Sequence, residues 1–215
     1  MRKYVIMGVQ GSGKGTQAKL LAEGLDLVHI SVGDLFRSHI QSHTKLGAQV
    51  KRIVDDGRLV DDDLVEAAVQ SRLADHDWNY GFIIDGFPRN PRQAEFFLES
   101  YDIDGVINLH LPDDEVKRRV LARRYCEQCG LDYNLIASRP AEPDICDVCR
   151  GRLVTRDDDT PEALAVRIRE YHEHTAPVLR IFERKEYVAT IDATESVATV
   201  QAAIRTRFGL PPMTG

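Results

Sequence analysis

Apolar residues along this chain fall into short uncharged runs separated by longer stretches of helical character. Tyr4-Val5-Ile6-Met7 has the composition of a strand buried on both faces, and Gln17 to Glu23 is rich in helix formers, with Leu20 and Leu21 on one side. Leu27-Val28-His29-Ile30 predicts a second buried strand. Two helices follow, over about 34–42 and 45–56, with Gly57 closing the second. A third opens after Asp61-Asp62-Asp63, an acidic run most simply read as a helix N-terminus favoured by the macrodipole. Tyr80 to Asp85 and Gly105 to Leu111 predict a third and a fourth strand, the latter ended by Pro112. The helix from Asp113 is dense in basic residues, and helical spacing puts Arg119 and Arg123 four apart on one face. One long helix is expected from Pro161 to about Lys185, then a fifth strand over Tyr187 to Ile191 and a last helix over Val197 to Arg207, with Gly209 to Gly215 as a frayed tail.

Strands alternating with helices predict an α/β fold: right-handed crossovers, a five-stranded parallel sheet flanked by helices, and a ligand at the carboxyl ends of the strands. Two stretches fall outside that alternation. Residues 31–60 read as a small helical insertion, and the block from Tyr125 to about Thr155 as a separate unit too short to build its own core.

Composition narrows the partners. Among 215 residues, 28 Lys and Arg stand against 34 Asp and Glu, so the net charge of −6 disfavours nucleic acid and anionic membranes as partners and leaves phosphate binding to local clusters. No apolar segment reaches the ~18 to 20 residues that span a bilayer, and Met1-Arg2-Lys3 runs straight into a strand; a cytoplasmic protein is expected.

The chemistry concentrates in three places. Gly8-Val9-Gln10-Gly11-Ser12-Gly13-Lys14-Gly15-Thr16, between strand and helix, reads as a phosphate cradle: glycines let N–H groups converge on a polyphosphate, the helix N-terminus adds its dipole, and Lys14 adds a point charge. Gly15 takes the place of the hydroxyl residue in G-x-x-x-x-G-K-[ST], which moves to Thr16. Asp85, at the end of its strand before Gly86-Phe87-Pro88-Arg89, stands where a phosphoryl-transfer site of this type keeps its magnesium-organising acid. Cys126 and Cys129 form one C-x-x-C, Cys146 and Cys149 another, with 16 residues between the pairs, a spacing that points to structural zinc rather than disulfides. A nucleic-acid-gripping ribbon is disfavoured, because Cys126 to Cys149 holds Glu127, Asp132, Glu142, Asp144 and Asp147 against Arg139 alone. Neither the seven histidines nor any Ser or Cys suggests a protease metal site or a nucleophile.

Taken with the segments 31–37, 57–60, 85–89 with Gln93, Arg119 and Arg123, and 156–159 with Arg167, these motifs resemble the adenylate kinases, in their long-lid, zinc-bearing form, over essentially the whole chain. The resemblance implies a P-loop kinase fold with a core of residues 1–30, 61–122 and 161–215, a monophosphate-binding insertion over 31–60 and a zinc-bearing lid over 123–160. It implies reversible phosphoryl transfer from ATP–Mg²⁺ to AMP giving two ADP, by a monomer with small nucleotides as its partners. ATP would meet Gly11, Ser12, Gly13, Lys14, Gly15, Thr16, Arg119, Arg123, Asp132 and Tyr133. AMP would meet Val32, Arg37, Arg58, Leu59, Val60, Gly86, Phe87, Pro88, Arg89, Gln93, Arg156 and Arg167. Catalysis would rest on Lys14, Asp85, Arg89, Arg123, Arg156 and Arg167, with Asp158 and Asp159 orienting the arginines. Val32 and Asn90 stand where adenylate kinases commonly have Thr, as in relatives that prefer pyrimidine monophosphates, which makes CMP or UMP the alternative acceptor.

Overall fold

The computed structural model describes residues 2–76 and 80–212. In chain order the elements are β1 (Lys3–Gly8), α1 (Lys14–Leu25), β2 (Leu27–Ser31), α2 (Val32–Gln41), α3 (Lys45–Asp55), α4 (Asp62–Ala74), β3 (Gly81–Asp85), α5 (Pro91–Ser100), β4 (Gly105–His110) and α6 (Asp113–Leu121). They continue with β5 (Arg123–Cys126), β6 (Asp132–Asn134), β7 (Leu153–Val154), α7 (Pro161–Glu170), a π turn (Tyr171–Thr175), α8 (Val178–Lys185), β8 (Val188–Asp192) and α9 (Val197–Arg207).

Five parallel strands form the main sheet, as the apolar runs predict, and their order is β2-β3-β1-β4-β8. Because side chains alternate across a strand, β1 feeds two cores. Tyr4 and Ile6 pack with Leu21 of α1, Ile204 of α9 and Val116 of α6 on one face, while Val5 and Met7 pack with Phe36, Val69, Phe97 and Phe182 on the other. The register puts both Ile6 and Ser31 opposite Asp85, so β2 and β3 end level at their carboxyl ends while β1 runs two residues farther, to Gly8. The chain turns to opposite sides of β1 to add β3 and β4, and the crevice at that reversal is where an open α/β sheet takes its ligand.

Local signals set most boundaries. Ser31 caps α2 by accepting from the Asp34 N–H, so that helix begins at Val32, ahead of the expected start. The α3 terminus closes as the Gly57 N–H bonds to Val54 O and the Arg58 N–H to Ile53 O, with Gly57 at φ 74°. A Cβ on Gly57 would also lie 2.5 Å from Ala163 O, so the turn that brings α3 beside α7 needs glycine on two counts. Asp61 caps α4, with Asp62 and Asp63 in its first turn.

Three expectations are corrected. The expected single helix over 161–185 is interrupted by the π turn: Pro177 has no N–H for the Glu173 carbonyl, and the chain widens so that the Ala176 N–H reaches Tyr171 O at 2.7 Å. Arg123 does not share a helix face with Arg119. The carbonyls ending α6 are taken by the far end of β6, Asn134 Nδ2 bonding to Arg119 O at 3.0 Å and the Leu135 N–H to Ala122 O at 2.9 Å, so Arg123 opens a strand instead. The tail is not frayed from its start, since Leu210 is buried in the core and Arg205 donates to Pro211 O; residues 213–215 lie outside the described ones. No described helix is long and apolar enough to cross a membrane.

Phe97 is fully buried, with its ring 5.6 Å from Phe87 and 5.2 Å from Tyr101. We expect Phe97→Ala to cost about 3–5 kcal/mol in urea unfolding; a loss below about 1 kcal/mol would mean that this face of the sheet is not closely packed.

Candidate active site

The chain leaves β1 at Gly8, where a Cβ would lie 2.5 Å from Leu109 O of β4; only hydrogen fits at this close approach. The loop then enters α1 through Gly13, at φ 92°, and no described side chain caps that helix. Its first-turn N–H groups are therefore oriented as an anion site, with the positive end of the helix behind them. Lys14 Nζ lies over the loop, donating to Gly8 O at 2.8 Å and Val9 O at 2.9 Å.

Asp85 ends β3, only 8% exposed, its Oδ2 3.6 Å from where a Cβ on Gly15 would stand. A carboxylate facing the first turn of α1, with Thr16 on the same cavity wall, offers hard oxygen donors of the kind that suit magnesium held against phosphates. Next along the chain, Arg89 Nε donates to Gly86 O at 2.8 Å, and the Thr175 hydroxyl of the π turn donates to Arg89 O at 2.8 Å.

From the other side come residues of the small antiparallel sheet β6-β5-β7 and the segment after it. Arg123 Nε donates to Asp159 Oδ2 at 2.8 Å, and the Asp159 side chain is fully buried. Arg156 Nη2 donates to Asp132 Oδ1 at 2.7 Å, and Lys19 of α1 lies 3.6 Å from the same carboxylate. Arg167 pairs with Asp158 and reaches Val54 O at 3.2 Å. Gln10 joins the two halves, its Nε2 donating to Asp159 at 3.1 Å and its Oε1 accepting from Arg167 at 3.1 Å.

These groups enclose one cavity of about 970 Å³. Of the residues singled out for nucleotides, the cavity wall includes all but Ser12: the remaining loop residues Gly11 to Thr16, Asp85, Arg119, Arg123, Asp132 and Tyr133, and the twelve assigned to the monophosphate. Ser12 is 3% exposed, turned into the protein with its N–H on Val9 O. Tyr133 lines the cavity, but its hydroxyl points to the cysteines, donating to Cys146 Sγ at 3.5 Å and accepting from the Asp147 N–H at 2.8 Å. Arg58 is paired with Asp56 at 3.0 Å, and Arg119 Nη2 donates to Thr194 O at 3.0 Å.

The four cysteines lie outside the cavity, brought together where the expected pairing puts them. All four Sγ atoms fall within 4.8 Å of one another, with Cys126 to Cys149 at 3.3 Å and Cys129 to Cys146 at 3.6 Å. Four thiolates at tetrahedral corners around zinc sit ~3.8 Å apart, given Zn–S bonds of ~2.3 Å, so this donor set fits that metal. N–H groups of Cys129 and Gly151 point at the sulfurs of Cys126 and Cys149.

A family model described as adenylate kinase matches residues 6–187. Adenylate kinases of Methanocella arvoryzae and Treponema denticola are 41% and 40% identical, over 94% and 95% of this chain and 98% of each relative. That of Acetivibrio thermocellus is 38% identical over 91% of this chain and 92% of its own. The chain belongs to the adenylate kinase family.

Membership gives a context to residues that pattern reading passed over. Gln10 occupies a free position of the glycine-loop motif, and only its bonds to Asp159 and Arg167 reveal its place. Thr175 had one indirect signal, the proline two residues later that interrupts the helix and turns its hydroxyl onto Arg89.

Crowded cations shape the electrostatics of this adenylate kinase site. Burial lowers the Lys14 pKa from 10.5 to about 8, with Arg89 and Arg123 adding to the effect and Asp85 opposing it. Burial lowers Arg89 too, and the charges of Arg167 and Arg37 push the same way. For Asp34, burial acts upward but is outweighed by Arg37, which with Ser31 and Arg156 holds it at about 2. Lys14 carries a folded-state value below its unfolded one, so the native state binds fewer protons than the unfolded state between about pH 8 and 10.5, and its contribution to stability rises with pH across that window. A polyphosphate against Lys14 restores its proton. We expect ATP binding to take up to about half a proton near pH 8 and almost none near pH 6.5, read by calorimetry in buffers of differing ionisation enthalpy. Uptake unchanged in Lys14→Met would assign the proton to another group.

Proposed function

We propose that this protein transfers the γ-phosphoryl group of ATP, taken as its magnesium complex, reversibly to AMP, giving two ADP. The observation that carries the reading is the convergence of Lys14 with Arg37, Arg89, Arg123, Arg156 and Arg167 on one cavity behind a glycine loop and helix N-terminus. An oxygen of the AMP phosphate attacks the γ-phosphorus, and the bond to the β-bridging oxygen breaks. Negative charge spreads over the equatorial oxygens, and fixed cations around that point stabilise it more than they stabilise either bound nucleotide. Two polyanions that repel each other are brought into line by the same charges.

Lys14 and the loop N–H groups bind the β- and γ-phosphates, with Arg119 and Arg123 on the outer side. Arg37, Arg89, Arg156 and Arg167 receive the acceptor phosphate. Asp85 and Thr16 would hold the magnesium ion, which would neutralise phosphate charge. Residues 31–60 serve as the monophosphate-binding flap and 123–160 as the lid; a lid in contact with α1 and the loop through Asp132 and Asp159 excludes water that would otherwise take the phosphoryl group. Cys126, Cys129, Cys146 and Cys149 would hold a structural zinc, since four thiolates would leave no open position for substrate. Thiolate ligands suit a reducing compartment, which agrees with a cytoplasmic monomer.

ADP formation from ATP and Mg²⁺ with AMP tests the reaction, and absence of turnover would sink it. Lys14→Met should lower kcat by at least ~100-fold while the far-UV spectrum and unfolding midpoint stay near wild type; near-native turnover would take Lys14 out of the mechanism. Chelation of bound metal should lower the melting temperature of the protein, and an unchanged Tm after verified metal loss would show that the cysteines are not a structural metal site.

A further inference from the structure

Gln93, on the first turn of α5, lines the cavity together with the apolar Val32, Phe36, Val65 and Phe87, and is itself 1% exposed. Its amide is held at both ends. Oε1 accepts from the backbone N–H of Arg89 at 2.8 Å, a partner that can only donate. Nε2 donates to Asp62 Oδ1 at 2.7 Å, and an ionised carboxylate can only accept. The same carboxylate oxygen takes Asn90 Nδ2 at 2.6 Å, and Asn90 Oδ1 accepts from the Gln93 N–H at 2.9 Å. Asn90 is thus engaged in capping α5 and steadying Asp62, and unlike Gln93 it is not part of the cavity wall.

A glutamine free to turn over presents donor and acceptor in either order. This one is not free, because turning it would set Nε2 against the Arg89 N–H and Oε1 against the Asp62 carboxylate. After these two bonds the amide keeps one N–H on Nε2 and one lone pair on Oε1. That pair matches a base with an unprotonated ring nitrogen beside an exocyclic amino group, as in adenine and cytosine. Hypoxanthine, guanine and uracil carry a ring N–H beside a keto oxygen, which is the opposite order.

Resting on the phosphoryl-transfer reading above, we propose that Asp62 is a specificity-determining positioning residue: with the Arg89 N–H it fixes the Gln93 amide in one orientation, so the acceptor site takes amino-bearing bases and rejects keto-bearing ones. In sequence, Asp62 is one of three consecutive acids whose presence a helix N-terminus explains, and nothing but the fold brings it to Gln93.

The test compares kcat/KM for AMP and IMP, two purine nucleotides of nearly the same shape and opposite donor order, in the wild type, Asp62→Asn and Asn90→Ser. The wild type should favour AMP by about 1,000-fold or more, and CMP over UMP in the same sense. Asp62→Asn should narrow the AMP/IMP ratio at least ~10-fold, mainly through KM for IMP, because a carboxamide can donate as well as accept and releases one of the two constraints. Asn90→Ser keeps a helix cap and the Asp62 contact to Gln93, and should leave the ratio within about threefold. A ratio unmoved in Asp62→Asn, or moved equally in both variants, overturns the assignment. So does a wild type that prefers UMP to CMP or accepts IMP within about tenfold of AMP, a comparison that decides the matter even where Asp62→Asn does not fold. Turnover of AMP with an unchanged ratio sinks this assignment alone, whereas no transfer to any monophosphate removes the phosphoryl-transfer reading and this one with it.

Discussion

Mutual repulsion among like charges is the constraint on which the rest of this structure turns. A site for two polyphosphates needs several cations facing one point, and two unit charges ~5 Å apart at an effective dielectric of ~20 repel by about 3 kcal/mol. The protein offsets this with one acid for nearly every base: Asp34 for Arg37, Asp159 for Arg123, Asp132 for Arg156 and Asp158 for Arg167. Lys14 and Arg89 are the exceptions, with no carboxylate within 4 Å of either among the described residues: Lys14 Nζ donates to the Gly8 and Val9 carbonyls, and Arg89 has its Nε spent on a backbone carbonyl and its charge disfavoured by burial and by Arg167 and Arg37. Among the described guanidiniums of the cavity, Arg89 alone has no carboxylate at that distance. It also sits beside Gln93, so this unpaired guanidinium and the amide proposed to read the base lie next to each other on one turn of chain.

The sheet supplies the rigidity that such a cluster requires. Ser31 and Asp85 end their strands level with Ile6, two residues before β1 ends at Gly8, and a shift of one residue in any of the three strands would exchange its two buried faces. The loop, the start of α2 and the Asp85 to Arg89 segment are therefore fixed relative to one another by two apolar cores rather than by the charges themselves. Charge pairing orders the part that the cores do not reach, which is the segment from Arg123 to Asp159.

How legible all this is in the sequence depends on how local each cause is. The five strands, the glycine loop and the paired cysteines are written in contiguous residues, and their positions in the fold follow the expectations closely. Arg123 is misplaced by pattern because a helix of basic residues has no internal stop; the stop comes from Asn134 and Leu135, which reach the carbonyls of Arg119 and Ala122 across the small sheet. The break at Tyr171 to Thr175 has only Pro177 as a local mark, and its use, a hydroxyl on the Arg89 carbonyl, joins residues 86 positions apart. Asp62 has a sufficient local explanation as a helix-start acid, which hides its second partner 31 residues away. A residue with one adequate explanation gives no sign in sequence of another.

The cysteine unit shows how chemistry takes over where burial is insufficient. Its core holds four fully buried residues, Cys126, Tyr133, Cys146 and Leu153, with Cys149 packed against them, and two of those four are candidate metal ligands. Removing the sulfurs from that set leaves one aromatic and one leucine, far less apolar surface than a folded unit requires. Yet Arg123 and Asp132 are carried on β5 and β6, which pair with each other, and Arg156 follows β7 by two residues. The cations and acids that face the cavity from this side can be no better placed than the strands that carry them, and those short ladders are tied to the rest of the unit by the sulfur cluster and by the Tyr133 hydroxyl that links Cys146 to Asp147. A group that touches no substrate thus bears on how accurately the guanidiniums meet the phosphates.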